Sequence, residues 1–426
     1  MSMSSPINVL IFPCGAENAV EIHQALAHSI HVNLFGASGV DDHGRHVFEN
    51  YCGDLPRINE ANFDQAFTEL LNAWRIQVVF ATHDTVQAYL APRAEVMGIT
   101  LINGDPHTAA TARRKSLTYE LLADQPWTPT VYLTPADVEH WPVVIKPDLG
   151  QGGQSVCVAQ DATEAESALR LVDQPLLVEY LPGEEITVDC FSDFQRELVW
   201  VGPRTRERVR AGISMRCHYL PDDPQIRRIA EHINMSLVLR GPWFFQLKKD
   251  RQGQWKLLEI SCRVAGSMVA QRARGVNLPL MAIHDVMHRK VGALPQNNVS
   301  LIERRILTVM QLDYTYDTVY IDFDETLIMH GKAIPSALHF LYRMQARGKQ
   351  LVLITRHAGN LEQAMTHARI APNLFDRIIH IRDASKKSAY IEGNAIFIDN
   401  HFPERLDVAR HCDIPVFDVD ALELFN

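Results

Sequence analysis

Two aspartates spaced two apart, Asp322 and Asp324, follow the apolar run Val319-Tyr320-Ile321 in the segment Asp322-Phe-Asp324-Glu-Thr326. Side chains alternate along an extended chain, so two carboxylates at this spacing face the same way. A turn just past the strand lets one of them attack an electrophile while its neighbour moves protons or lends a backbone carbonyl to a metal. Further residue types follow in order. Thr355 ends the apolar run 350–354, Lys386 and Lys387 precede a short helix-like stretch, and Asp399 ends the run 395–398. A nucleophile, a hydroxyl, a cation and a metal carboxylate thus succeed one another, mostly at strand ends, where open α/β sheets place their chemistry.

A second set of such residues lies upstream. Lys146 sits near the end of Trp141-Pro-Val-Val-Ile-Lys146-Pro147 and runs into Asp148-Leu-Gly150-Gln-Gly152-Gly153-Gln-Ser155. A glycine-rich loop between two strands can fold its backbone N–H groups around phosphates, although a hairpin turn has the same composition. It is not a Walker loop, which needs Gly-Lys-Ser/Thr running into a helix. Glu179, Tyr180 and Leu181 end the strand-like run 176–181, and Glu184-Glu185 open the next one. The segments 243–246 and 255–263 read as antiparallel strands joined through Asp250-Arg-Gln-Gly253, with Gln246, Glu259, Ser261 and Arg263 at their polar ends. Period-two spacing sends Glu259, Ser261 and Arg263 to one face and Ile260 and Cys262 to the core. A buried Glu–Arg pair is the other reading of that strand. In Arg204-Thr-Arg206-Glu-Arg-Val-Arg210, Arg210 is the candidate for holding an anionic substrate by paired hydrogen bonds; a solvated basic loop is the alternative.

The elements that must position these groups are legible from hydrophobic pattern. Strand-like runs at 7–12, 32–35, 78–81 and 100–102 alternate with helical stretches at 17–28 and 63–74, which predicts a small parallel α/β unit. His83 and Asp84 follow one of these strands and read as a structural turn, with the lining of a substrate cleft as the alternative, and Cys14 reads as a buried thiol, with a ligand contact as the alternative. One helix is expected over 106–122, with Pro106 at its start. Residues 293–300 are rich in turn formers and read as a linker, and 302–313 as a joining strand or helix.

With 426 residues the chain has room for two to four domains, and 46% hydrophobic with 22% charged content is ordinary for a globular chain. A net charge of −10 disfavours nucleic acid or an anionic membrane surface as the main partner. No apolar run approaches the ~18 residues of a membrane span, and Met1 to Pro6 lack the basic stretch of a signal peptide. Seven cysteines without a Cys-x-x-Cys pair fit a reducing cytoplasm better than a disulfide framework or a zinc site.

The C-terminal pattern, over residues 316–426, resembles the haloacid dehalogenase (HAD) superfamily. The resemblance implies Asp322 as a nucleophile that becomes an aspartyl phosphate and Asp324 as general acid and base. Thr355 would bind phosphoryl oxygens, and Lys386 or Lys387 would neutralise their charge. Asp322, the backbone carbonyl of Asp324 and Asp399 would hold Mg2+. A second aspartate at this spacing usually marks phosphatases and phosphotransferases in that family, and residues 327–335 are too few for a large cap domain.

Residues 7–292 resemble the ATP-grasp superfamily, in its carbamoyl-phosphate synthetase-like and amino-acid ligase branch. By this resemblance Lys115 and Lys146 contact the ATP phosphates, and Gly150, Gly152, Gly153 and Ser155 belong to the loop that closes over them. Glu179, Tyr180 and Leu181 would form the adenine hinge, and Glu185 would bind the ribose. Gln246 and Glu259 would hold Mg2+, and Arg263 would steady the γ-phosphoryl group. Ser261 stands where the family usually has an asparagine metal ligand; its hydroxyl oxygen still suits a hard cation.

The expected fold class is therefore α/β and α+β multidomain: an α/β unit over 1–104, an ATP-grasp domain over 105–292, a linker over 293–315 and a Rossmann-like HAD domain with minimal cap over 316–426. The expected function is an ATP-dependent carboxylate–amine ligase fused to a Mg2+-dependent phosphatase. A nucleotide-sensing ATP-grasp domain that regulates the phosphatase is the alternative. ATP and Mg2+ are the expected cofactors. The expected partners are a small-molecule carboxylate, an amine and a phosphate ester, without nucleic acid or membrane, in a cytoplasmic protein able to form a homodimer.

Overall fold

Strand β1 (Ile7–Phe12) is apolar on both faces because both faces are covered. Val9 and Ile11 pack into one core, while Leu10 and Phe12 pack into another. That is the environment of a central strand in a parallel sheet. The computed structural model describes residues 5–150, 155–210 and 212–425. It divides into two units, Met1–Arg305 and Ile306–Asn426.

In the first unit, β1 joins β2 (Val32–Ala37), β3 (Asn50–Cys52), β4 (Val78–Ala81) and β5 (Thr100–Leu101) in one parallel sheet of order β3-β2-β1-β4-β5. The helix Glu17–Leu26 packs Ala19, Ile22 and Leu26 on one face, and Phe63–Ala73 packs Phe63, Phe67 and Leu71 on the other. The strand order reverses at β1, so the segments after β1 and after β4 meet at a switch point, where such sheets bind ligands. The short strand β3 carries no run of apolar residues and was not expected from the pattern.

The helix expected over 106–122 is broken in two, Pro106–Arg113 and Lys115–Leu121, by the extended backbone of Arg114 (φ −113°, ψ 119°). Asp105 caps the first piece by accepting from the Thr108 N–H at 2.7 Å. Asp148, from the start of the glycine-rich loop, caps the second. Its carboxylate accepts from the Ser116 N–H at 2.8 Å and the Ser116 hydroxyl at 2.9 Å, and it pairs with Arg114 at 2.8 Å. A carboxylate distant in sequence thus satisfies the donors of a new helix start. Helical periodicity carries no sign of it.

Three antiparallel sheets follow. Strands β6 (Val131–Tyr132), β7 (Val143–Pro147), β8 (Cys157–Ala159) and β9 (Pro175–Glu179) form a sheet of order β6-β9-β7-β8. Next come β10 (Glu185–Ser192), β11 (Leu198–Thr205), β12 (Glu207–Arg210), β13 (Ile213–His218), β14 (Gly241–Lys249), β15 (Trp255–Ser261) and β16 (Leu301–Glu303). They make a four-stranded sheet β11-β10-β14-β15 and a three-stranded sheet β12-β13-β16. Residues 301–303, expected within the linker, are thus a strand paired with β13, and residues 304–309 have no regular structure.

The second unit holds β17 (Thr318–Ile321), β18 (Ile328–Met329), β19 (Lys332–Ala333), β20 (Gln350–Thr355), β21 (Arg377–His380), β22 (Ala395–Ile398) and β23 (Val416–Phe417). Its parallel sheet has order β21-β20-β17-β22-β23, again with the reversal at the first strand. The insertion between β17 and the helix Pro335–Ala346 is only the small β18–β19 hairpin. Among the described residues no helix is long and apolar enough to cross a membrane.

Candidate functional site

In the first unit, two cavities meet at the β14–β15 hairpin. Antiparallel register sets Gln246 directly opposite Glu259, and both side chains line both cavities. The larger cavity, about 510 Å³, is lined by Lys115, Lys146, Glu179, Tyr180, Leu181 and Glu185 among others. The smaller, about 310 Å³, is lined by Asp84, Arg113, Arg206, Ser261 and Arg263 among others, and again by Lys115.

Lys146 is buried on β7, and its Nζ donates to the Tyr119 hydroxyl at 2.7 Å. Tyr119 in turn donates to the Leu258 carbonyl at 2.6 Å, which ties the lysine to β15. Burial, then the like charge of Lys115, pull the Lys146 ammonium down to about 7, against the opposing pull of Glu259 and Glu185. Burial also lowers Lys115, whose Nζ donates to the Gly150 carbonyl at 3.0 Å. Two basic side chains short of water, with the Glu259 carboxylate in the same cavity, suit a polyanion that brings its own metal. At Gly150 a Cβ would stand 2.6 Å from Pro147 Cγ, so a side chain there would crowd the start of the loop. Ser155 is exposed with φ +56°, and the expected loop residues Gly152 and Gly153 lie outside the described residues.

Glu179 turns its carboxylate toward the Thr130 N–H, which donates to it at 2.8 Å, and Lys256 lies 3.7 Å away. Its side chain is therefore occupied, and what it offers the cavity is backbone. Glu185 pairs with Arg206 at 2.6 Å and faces Lys248 at 3.7 Å.

Arg210, expected to hold an anionic substrate, is exposed on β12 and lines neither cavity, whereas Arg206 lines both and Arg204 the smaller one. Arg204 is buried against Asp189 at 2.7 Å. The chain bends at Arg208 (φ +46°) between Arg206 and Arg210, so the basic run does not keep one face.

Asp84, read as a structural turn with a substrate cleft as the alternative, lines the smaller cavity. Its carboxylate accepts from Arg263 Nε at 2.9 Å and Nη2 at 2.8 Å, and from the Ser261 hydroxyl. Burial would raise this carboxyl, but the Arg263 guanidinium and the Ser261 hydroxyl outweigh it and hold it below the usual range. Arg263 also donates Nη1 to the Val264 carbonyl at 3.1 Å. A guanidinium has five N–H groups, so some remain for a ligand. Ser261 is thus already engaged, and the Glu–Arg pair considered for β15 is an Asp–Arg pair across the unit. The only signal for Asp84 was its place just after a parallel strand.

In the second unit, Asp322 follows β17 at the switch point, flanked by β20 and β22. The two lysines differ in setting: Lys386 is exposed, whereas Lys387 is buried. Lys387 Nζ donates to Asp322 at 2.6 Å and to Asp399 at 2.7 Å. Burial pushes the Asp322 carboxyl up to about 6; Asp399 adds to this, while Lys387 opposes it. Burial would lower Lys387, yet the two carboxylates outweigh it and raise its ammonium. Two buried carboxylates against one ammonium leave excess negative charge, which a divalent cation would relieve. Among the described residues no cluster of three or more His, Cys, Asp or Glu is poised around a metal position, so a cation here would draw on backbone or ligand oxygens as well. Thr355 is buried at the end of β20, and its hydroxyl accepts from the His357 N–H at 3.1 Å. Asp324 faces His357, whose Nδ1 lies 3.0 Å from both carboxylate oxygens. Asp322, Asp324, Thr355, Lys387 and Asp399 all line one open cavity of about 420 Å³.

Comparison with known proteins bears on the first unit. Residues 172–308 match a protein-family model described as "ATP-grasp in the biosynthetic pathway with Ter operon". This chain contains an ATP-grasp fold. No curated protein matches it. Among solved structures, the L-amino acid ligase from Bacillus licheniformis superposes with TM-score 0.53 at 18% identity, covering 67% of this chain and 75% of that one. The biotin carboxylase domain of the Hydrogenobacter thermophilus 2-oxoglutarate carboxylase, in complex with MgADP, ADP and bicarbonate, gives 0.56 at 15% identity over 70% and 73%. The Staphylococcus aureus N5-carboxyaminoimidazole synthetase complexed with ADP gives 0.55 at 12% identity over 70% and 80%. At such identities the likeness is one of fold.

Proposed function

We propose that this chain is an ATP-dependent carboxylate–amine ligase joined to a HAD-type phosphatase. The observation that carries the ligase half is the Gln246–Glu259 pair at the junction of the two ATP-grasp cavities. In this reading the larger cavity takes ATP, with Lys115 and Lys146 on its phosphates, the backbone of Glu179, Tyr180 and Leu181 beside adenine, and Glu185 at the ribose. Relatives of this fold are solved with ADP and with MgADP. Mg2+ bound by Gln246 and Glu259 would neutralise the phosphates; Ser261 is committed to Asp84 and would join only on letting it go. The smaller cavity then holds the carboxylate. Its oxygen attacks the γ-phosphorus and ADP leaves, giving an acyl phosphate. The amine attacks the acyl carbon, phosphate leaves, and the amine loses a proton to give the amide. Arg263 supplies N–H groups where charge develops.

For the phosphatase half, support comes from Asp322 at a parallel-sheet switch point with Lys387 and Asp399 on it. Asp322 attacks phosphorus while the ester oxygen departs with a proton from Asp324. Water then attacks the aspartyl phosphate, Asp324 takes the proton, and phosphate leaves with Asp322 restored. Mg2+, held by Asp322, Asp399 and the Asp324 carbonyl, would offset the charge between carboxylate and phosphate. Thr355 and Lys387 would hold phosphoryl oxygens.

One chain carrying both sites suggests one pathway, in which the ligation substrate or product bears the phosphate ester. The test is ADP release against panels of carboxylates with and without amines, followed by mass spectrometry with the Asp322→Asn variant. If the phosphatase acts second, that variant accumulates a phosphorylated amide; if it acts first, it accumulates the phosphorylated precursor. ADP release that never depends on an amine, with neither species seen, overturns the reading. It would favour a nucleotide-sensing first unit, a reading supported by the engagement of Ser261 and Arg263 with Asp84.

A further inference from the structure

Asp324 has a side-chain partner, His357. His357 follows Thr355 by two residues, and each part of it is fixed. Its backbone N–H donates to the Thr355 hydroxyl at 3.1 Å, and its carbonyl lies 2.8 Å from His380 Nε2. Its ring meets the Phe323 ring edge-on, with centroids 5.3 Å apart. One of its ring nitrogens, Nδ1, is 3.0 Å from both oxygens of Asp324. The Asp324 side chain is itself about half exposed, at 48%, so it has rotamer freedom that this contact removes.

The group that protonates a departing oxygen must sit beside it, because proton transfer needs hydrogen-bond reach. The leaving alcohol therefore lies on the Asp324 side of the phosphorus, in line with Asp322. His357 forms part of the wall of a broad cavity of about 1190 Å³, together with Asn360, His380 and Asp383, and this cavity shares Arg356 with the one that Asp324 lines. We propose that His357 is a positioning residue that holds the Asp324 carboxyl against the leaving oxygen, at the mouth of the cavity that receives the alcohol. The proposal rests on the phosphatase reading above. No covalent step passes through His357.

The test uses the full chain with Mg2+ and phosphate monoesters whose alcohols differ in leaving ability. Wild type is compared with His357→Ala, His357→Phe and His357→Gln. The ratio kcat/KM reports the first transfer, in which the ester oxygen departs. For benzyl phosphate, a poor leaving group, His357→Ala should lose on the order of 10²-fold in kcat/KM, the lower range of what a general acid contributes. For 2,4-dinitrophenyl phosphate, which needs little protonation, the loss should be at least ~10-fold smaller. His357→Phe keeps the packing on Phe323 and should behave like alanine, so a fold defect in the alanine variant does not spoil the test. His357→Gln keeps a polar contact to Asp324 and should recover part of the loss. Equal losses for both esters, or none for either, overturn the positioning role. A wild-type protein without phosphatase activity, or an Asp322→Asn variant that retains it, overturns the underlying reading as well.

Discussion

Lys146 should take up a proton when ATP binds. Without ligand its ammonium is pulled down to about 7 by burial and by Lys115, with Glu259 and Glu185 opposing. Tyr119, its hydrogen-bond partner, is a neutral phenol whose own ionisation burial pushes well up. At about pH 8 only about a tenth of Lys146 is therefore protonated. A triphosphate against the side chain favours the charged form and returns its pKa toward the ordinary ~10.4. The bound state then holds ~0.9 more proton at about pH 8, ~0.5 at about pH 7 and ~0.1 at about pH 6. The sign follows. Binding needs the proton, so affinity is nearly flat below the ligand-free pKa and falls above it by about tenfold per pH unit, or ~1.4 kcal/mol. Lys115 is lowered too and adds in the same direction. Calorimetry of MgATP at about pH 8, in two buffers of different ionisation enthalpy, measures the uptake directly. Lys146→Ala should reduce it to what Lys115 contributes, and should weaken ATP binding while sparing the phosphatase. Heats independent of buffer in wild type, or an unchanged uptake in Lys146→Ala, would refute the reasoning.

Glu259→Gln should abolish amine-dependent ADP release while leaving the fold intact, because on the proposed reading a cation would lose its charged ligand opposite Gln246; undiminished release would remove Glu259 from the proposed metal site. Asp84→Ala frees Arg263 and Ser261 from their shared acid. ADP release at saturating ATP should fall on the order of 10-fold with ATP affinity within ~3-fold, since on the proposed reading the acid touches groups that would act on the transferring phosphoryl and not on the nucleotide. A large affinity loss at constant turnover would instead make Asp84 part of the nucleotide site.

Much of this architecture is visible in the one-dimensional pattern. Runs such as Val319–Ile321 and Ala395–Ile398 are continuous apolar stretches, and only a sheet covered on both faces accommodates them. The shared direction of Asp322 and Asp324 follows from local geometry, the period of two along a strand. That residues 243–249 and 255–261 form a hairpin through the turn at Asp250 to Gly253 was legible, but the pairing of Gln246 with Glu259 also needs a bulge between Gln246 and Leu247 that shifts the register set by the turn. The break at Arg114 was hidden because its cause, Asp148, is 34 residues away.

What the sequence determined by itself is thus which residues share a face and which lie at strand ends, because those depend on neighbours a few residues off. Only the tertiary structure decided who meets whom. Lys386 and Lys387 are identical in type, and only the direction of the short turn at Lys387–Tyr390 puts one of them between Asp322 and Asp399. Asp84 reaches Arg263 across 179 residues, and His357 reaches Asp324 across 33. Arg206 rather than Arg210 faces the cavities because the chain bends between them. Charge pairing acts through space over a few ångströms, and no periodicity in the chain encodes which distant side chain will be there.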